Sequence, residues 1–246
     1  MTDEALLARA QRVWAALSGT PVTFTTSAIE VAVSPQSLLC PSGWVGIVVM
    51  GNAVIATAPD DSAAEIVQHA LNGLPVAAMT DTAAVCDRLP INETLGPATL
   101  AYCDTASFRP VQSSAVQTSP ADHTDMRTLL ARVPTEDADE SGLAGITSPA
   151  FVVRSGSDII AAAGYRAWPS KTAHLSVLTA PAERRRGLAR VVATAAVAAA
   201  LEDDLLPQWR ARPEASRRVA RALGFSELGS QLSIRLMTAD SHAGRS

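Results

Sequence analysis

The chain has 246 residues, 48% apolar and 18% charged, a balance that suits a folded globular protein and excludes a disordered polyelectrolyte. A net charge of −4 argues against a general nucleic-acid binder, and the longest apolar run, residues 191–201 broken by Thr194, is too short to cross a bilayer. Three widely spaced cysteines, Cys40, Cys86 and Cys103, form neither a disulfide framework nor a zinc-ligand pattern, so a soluble protein of a reducing cytoplasm is expected, without a metal.

In chain order, residues 3–17 set Leu6, Leu7, Ala10, Val13, Trp14 and Leu17 at helical spacing, and Ser18-Gly19 ends the segment. Residues 22–26, 29–33 and 44–50 read as strands, and Gly51-Asn52 between two apolar runs predicts a two-residue hairpin into 53–58. Pro59-Asp60-Asp61-Ser62 marks a helix start, with Ser62 and Glu65 as a capping box, and Asn72-Gly73 stops that helix. A short helix after Thr80-Asp81 and a strand over 98–103 complete a small α+β lobe, residues 1–110. It holds no glycine-rich phosphate loop, no nucleophile–base constellation and no metal-ligand spacing, and His69 and Cys86 are expected as ordinary helix residues.

Residues 111–124, rich in Ser, Thr and Gln, separate this lobe from a second domain over 111–237, although 111–116 can also pair as its first strand. Asp122 or Thr124 caps a helix through Arg132, and Thr135-Glu136-Asp137 opens another that ends near Gly142. A hairpin turns at residues 155–158 between strands 151–154 and 159–165. Trp168-Pro169-Ser170 then leads into a strand containing Leu175, Val177, Leu178 and Thr179, closed by Ala180-Pro181. Arg184, Arg185, Arg186 and Gly187 feed a long apolar helix that reaches Glu202. Such a loop presents unpaired N–H groups at the positive end of a helix dipole, where three cations need a negative partner. A phosphate-bearing ligand is the natural one, and a solvated arginine turn before a core helix is the plain alternative. A strand over 207–212, a helix over 214–223 and a β pair, 226–228 with 231–236, finish the domain; 238–246 reads as a flexible tail.

Three groups of residues carry a resemblance. Arg184-Arg185-Arg186-Gly187-Leu188-Ala189 fits an R/Q-x-x-G-x-G/A loop, Val177-Leu178-Thr179-Ala180-Pro181 fits a V-x-T-x-P lead-in, and Ser216 through Gly224-Phe225 fits S-x-x-x-Y-x-x-x-G-F with Ala220 at the tyrosine. In this order and spacing they resemble the GNAT superfamily of N-acetyltransferases, over residues 111–237. The resemblance implies an α/β fold, a mixed, splayed central sheet flanked by helices, beside a smaller N-terminal α+β lobe. A degenerate GNAT-like copy that lost its loop is one reading of that lobe. It also implies acetyl-CoA as acyl-donor co-substrate and direct transfer of its acetyl group, an acyl group other than amino-acyl, to a primary amine. The acceptor is a small-molecule or peptide amine, with no nucleic-acid or membrane partner and with a homodimer left open.

The same resemblance assigns roles. Backbone N–H groups from Arg185 through Arg186, Gly187 and Leu188 to Ala189 cradle the pyrophosphate, and the side chains of Arg184, Arg185 and Arg186 bond its oxygens. Val177, Leu178 and Thr179 run along the pantetheine arm, the N–H of Leu178 polarises the thioester carbonyl, and Ser216 joins the cofactor contacts. Arg217, Arg218 and Arg221 are candidates for the 3′-phosphate, with a solvated helix face as the alternative. His174, three residues before Val177, is the candidate general base through water, with a structural histidine as the alternative. Two departures stand out: the family's tyrosine is Ala220 here, and its asparagine is Pro213. They leave the general acid unassigned and motivate a second reading, an acyl-CoA-binding sensor or regulatory module with little catalysis.

Overall fold

The computed structural model describes residues 3–27 and 29–237; the tail read over 238–246 lies outside the described residues. The elements, in chain order, are α1 (Asp3–Leu17), β1 (Val31–Val33), β2 (Val45–Met50), β3 (Ala53–Ala58), α2 (Asp61–Leu71), α3 (Thr82–Cys86) and β4 (Ile91–Tyr102). They continue with β5 (Gln117–Ser119), α4 (Thr124–Ala131), α5 (Thr135–Ser141), β6 (Ala150–Ser155), β7 (Asp158–Trp168) and β8 (Thr172–Thr179). The last are α6 (Leu188–Glu202), β9 (Leu206–Ala211), α7 (Glu214–Ala222) and β10 (Ser226–Leu236). The chain clusters into two compact units: a central unit of residues 101–227, and a terminal unit that joins the residues up to 100 with those from 228 onward. The sequence reading drew its boundary at 110 and left the final strand with the second half. No helix among the described residues is long and apolar enough to cross a membrane.

In the terminal unit the strands stand in the order β1-β3-β2-β10-β4. β2 and β3 form the antiparallel hairpin expected at Gly51-Asn52, β10 runs antiparallel to β2, and β1 runs parallel to β3. Ile47, Val49, Val54 and Ala56 meet Val67 and Leu71 of α2, with Leu232 and Ile234 of β10, in one apolar core. The helix start lies earlier than the capping box suggests: the Asp60 carboxylate accepts the Ala63 N–H at 2.8 Å. β10 is one continuous strand and not the β pair expected over 226–228 and 231–236. Gly229 pairs with Met50, and a Cβ at Gly229 would run into the Val49 carbonyl and the Met50 sulfur, so the glycine serves close approach and not a turn.

In the central unit β5, β6, β7 and β8 are successively antiparallel, and β9 joins β8 in parallel. Ala173 and Leu175 of β8, with Ala161, Ala163 and Tyr165 of β7, pack on Val192, Ala193, Ala196, Val197 and Ala200 of α6. The small side chains let this helix lie close to the sheet. On the other face Met126 and Leu129 of α4, with Leu143 and Ile146, cover Val152, Ala162 and Leu178. Residues 111–116 form no strand; the edge strand is β5, a few residues later. His123, rather than Asp122 or Thr124, caps α4, its Nδ1 accepting the Asp125 N–H at 3.2 Å. Gly142, in the left-handed conformation with φ 63°, closes α5 as expected.

Candidate functional site

β8 and β9 part company halfway along. They pair only at Thr172–Leu206, Ala173–Pro207 and His174–Gln208, whereas β8 stays paired with β7 as far as Thr179–Ala161. Which backbone groups face the opening follows from the ladder parity. Leu206 N–H donates to Lys171 O at 2.7 Å, and Ala180 N–H donates to Ile160 O at 2.9 Å. Odd-numbered residues of β8 therefore turn their backbone toward β9, and even-numbered ones toward β7. Beyond the last pair, the groups left facing the gap belong to Val177 and Thr179. The N–H of Leu178, expected to polarise a carbonyl, faces Ala162 in the β7 ladder instead. A displacement of one residue along a strand is enough to exchange the two sides, so the N–H that faces the gap is that of Val177.

The loop after β8 opens with a single 3-10 turn, Pro181–Glu183, and then Arg185 and Gly187 both take positive φ, 64° and 77°. An αL arginine is unusual backbone, and here it brings the loop into the first turn of α6. Gly187 contributes no side-chain cap, and the first intrahelical bond runs from Val191 N–H to Gly187 O at 3.2 Å. The N–H groups of Leu188, Ala189 and Arg190 thus stand at the positive pole of α6 without a helical acceptor. Nothing lies within 4 Å of the position a Cβ would take at Gly187, so the space before the helix is open.

The three loop cations are not equivalent. Arg184 pairs with Asp137 of α5 at 2.6 Å and donates from Nε to Thr179 O at 3.4 Å, and Arg186 pairs with Glu183. Two of the three positive charges are thereby met by carboxylates of the protein itself, Glu183 neutralising a neighbouring arginine of its own loop. Arg185 forms no ion pair among the described residues, so it is the cation left for an anion. Two buried polar atoms beside the loop have no hydrogen-bond partner: Thr179 Oγ1 where β8 ends, and Arg190 Nε in the first turn of α6. Orphaned polar atoms, open space, an uncapped helix pole and one spare arginine together fit a phosphate-bearing ligand.

His174 sits at the fork, half-buried. Its ring stacks on Trp168, centroids 4.1 Å apart and planes 10° from parallel, and its Nδ1 lies 2.5 Å from Gln208 Oε1. With that oxygen as acceptor, Nδ1 carries the proton and Nε2 holds the free lone pair. Burial, then the charge of Arg210, push its pKa down to about 4, with Arg166 lowering it further and the Gln208 bond opposing. The imidazole expected as a general base is thus uncharged at pH 7 but a weaker base than an ordinary histidine. Gln208, Arg166 and Trp168 carried no signal in the sequence, because each reaches His174 across the sheet and not along the chain.

The α7 residues are mostly engaged elsewhere. Ser216 Oγ accepts from Trp209 Nε1 at 3.0 Å, and Ala220 is buried in the core with Leu223 and Phe225. Arg217 forms a two-pronged bond to Glu227 at 3.0 and 2.7 Å, and Arg221 pairs with Glu214, so both behave as a charged helix face. Tyr165 does not substitute for the missing tyrosine: its hydroxyl donates to Asp203 at 2.9 Å, and burial helps push it up to about 12. Cys103 is buried, with its thiol pushed up to about 11, and offers no thiolate. Among the described residues no group of three or more His, Cys, Asp or Glu side chains is placed to hold a metal ion.

Comparison with known proteins finds a family likeness over part of the chain. Residues 148–230 match the family model described as GNAT acetyltransferase, a span that holds His174, Val177, the arginine loop and Ser216. No curated protein sequence matches the chain. Among solved structures, an acetyltransferase of the GNAT family from Colwellia psychrerythraea is 12% identical, with TM-score 0.50, over 96% of this chain and 98% of its own. A GNAT-family protein from Novosphingobium aromaticivorans is 19% identical, with TM-score 0.49, over 60% of this chain and 67% of its own. A GCN5-related N-acetyltransferase from Kribbella flavida is 15% identical, with TM-score 0.47, over 62% of each chain. The Colwellia likeness concerns the fold: mixed α/β and GNAT-like.

Proposed function

With residues 148–230 as a GNAT acetyltransferase domain, we propose that the protein is an acetyl-CoA-dependent N-acetyltransferase acting on a small-molecule or peptide amine. The observation that carries this reading is the uncapped N-terminus of α6 behind a left-handed glycine, directly after a strand that has parted from its neighbour. Acetyl-CoA supplies the activated acyl group. The protein supplies the rest: the N–H groups of Leu188, Ala189 and Arg190, with Arg185, hold the pyrophosphate. The N–H of Val177 faces the gap, where it bonds the thioester carbonyl oxygen and stabilises the charge that develops on it. His174, uncharged and held by Gln208, takes the amine proton through water, a modest contribution for a base with a pKa near 4. The buried Ala220 leaves the departing thiolate to be protonated by water.

That same buried Ala220, with the weak base, favours a second reading, an acyl-CoA-binding sensor with little turnover. Calorimetry with acetyl-CoA, followed by thiol release over an amine panel, separates the two. Binding with release supports the transferase; binding without release over any amine supports the sensor. Gly187→Val tests the loop common to both. Its φ of 77° is costly for a β-branched residue and the new methyls enter the open space before α6, so acetyl-CoA affinity should fall tenfold or more while unfolding stays cooperative. Unchanged affinity would count against the loop as the phosphate site.

A further inference from the structure

Arg166, His174 and Gln208 stand in one row across three strands: Arg166 is the register partner of His174 on β7, and Gln208 its partner on β9. Register partners project from the same face of a sheet, and so do residues two apart on one strand. Trp168 and Arg210 therefore share that face, and the stacking of Trp168 on His174 agrees. Both arginines are open to solvent as residues. Arg210 is nonetheless dehydrated enough at its guanidinium to lower its pKa, with Glu140 opposing. Arg166 forms no ion pair among the described residues. Glu140 of α5 also pairs with Arg212, so this carboxylate acts on two guanidiniums. The row lies where β8 and β9 diverge, just before the backbone groups of Val177 that face the gap.

A site for an amine would ordinarily attract an ammonium ion with carboxylates. Here the charged side chains on the row itself are arginines, with the Glu140 carboxylate engaged by Arg212, and arginines repel a polycation and bind an anion through paired N–H donors. We propose, resting on the acetyltransferase reading above, that the acceptor is an amine that also carries a carboxylate, held by Arg166 and Arg210 beside His174. The same two charges serve the chemistry. They lower the proton affinity of a bound ammonium, as they do that of His174, and so favour the neutral, nucleophilic amine where the base is weak. The amine lone pair forms the new C–N bond as the C–S bond of the thioester breaks, and one N–H proton passes through water to the departing thiolate. The product keeps its carboxylate and loses its positive charge, so it remains a ligand for the arginine pair.

The test compares α-amino acids with their decarboxylated amines, and with spermidine, at saturating acetyl-CoA, in the wild type and in Arg166→Ala. Amino acids should exceed their decarboxylated counterparts at least tenfold in kcat/KM, and R166A should collapse that preference below threefold, chiefly through KM. R166K should restore part of it. Turnover of spermidine or of the plain amines as fast as the amino acids overturns the proposal and leaves the acetyltransferase reading standing. Should no amine be turned over while acetyl-CoA binds, the acetyltransferase reading fails, and calorimetry on the CoA-saturated protein decides the anion subsite separately. N-acetyl amino acids binding at least tenfold more tightly than N-acetyl amines, with loss in R166A, supports it; equal binding overturns it. Unchanged acetyl-CoA affinity in R166A shows that the variant is folded.

Discussion

His174 was legible in the sequence as a candidate base only through its place ahead of Val177, by resemblance. What makes it chemically unusual lies across the sheet, in Gln208 at a separation of 34 residues and in two arginines that no motif joins to it. Its depressed pKa has a consequence for stability. Between about 6.5, the ordinary value, and about 4, the unfolded chain binds a proton that the folded chain refuses. The native state therefore gains stability from this group above that window and loses it as pH falls through it, by up to about 3 kcal/mol. Replacing His174 by Gln keeps a polar side chain without the titration. Urea midpoints at pH 7 and pH 4.5 should fall more steeply for the wild type than for H174Q, and parallel falls would show that the imidazole is not held neutral. Arg184 and Arg186 teach a complementary point. Both read as ligand-binding cations, yet Asp137, 47 residues away, and Glu183 satisfy them in the fold.

Two helix starts in this chain show how an element announces its purpose. α2 begins at Asp60, whose own carboxylate occupies the positive pole, and such an end has no need of an external anion. α6 begins at Gly187, with no cap and with its first N–H groups open. The sequence separated the arginine loop from an ordinary helix start, because a glycine after arginines is a local signal, but it set the cap of α2 at Ser62 and not at Asp60. It did not distinguish Leu178 from Val177, since ladder parity is set by β7 and β9 and not by the strand's own residues. The β pair expected over 226–228 and 231–236 failed for a similar reason: a glycine inside a strand, here Gly229, and one in a turn look alike until the neighbouring strand is in place. Gly229→Ala should destabilise the protein by about 1–3 kcal/mol, because its Cβ meets the backbone of β2 and not a flexible side-chain end. A chemical denaturation midpoint equal to the wild type would mean that β10 turns there after all.

For the whole molecule, local patterns recovered most helices and strands, and the family motifs recovered the part of the chain that carries them. The terminal unit has no such motif, and its parallel β1–β3 pairing joins segments that the sequence gives no reason to bring together. The division between units was equally illegible, because a strand that passes from one unit into the other reads as uniformly as any strand. Hydrogen exchange across the full chain would read one feature that crystallography of a bound form would hide. In a closed sheet, neighbouring amides of an interior strand exchange at comparable, slow rates, limited by opening of the surrounding structure. The parted end of β8 should instead alternate: Ser176 and Leu178 slow, Val177 and Thr179 fast, a two-residue rhythm written in time rather than in space. Acetyl-CoA should erase the rhythm by slowing only the fast pair. A free protein in which Val177 is as slow as Leu178 would have no gap to fill, whereas an alternating one spends part of its sheet stability keeping a strand edge ready inside the fold, sheltered from the intermolecular pairing that an outer edge invites.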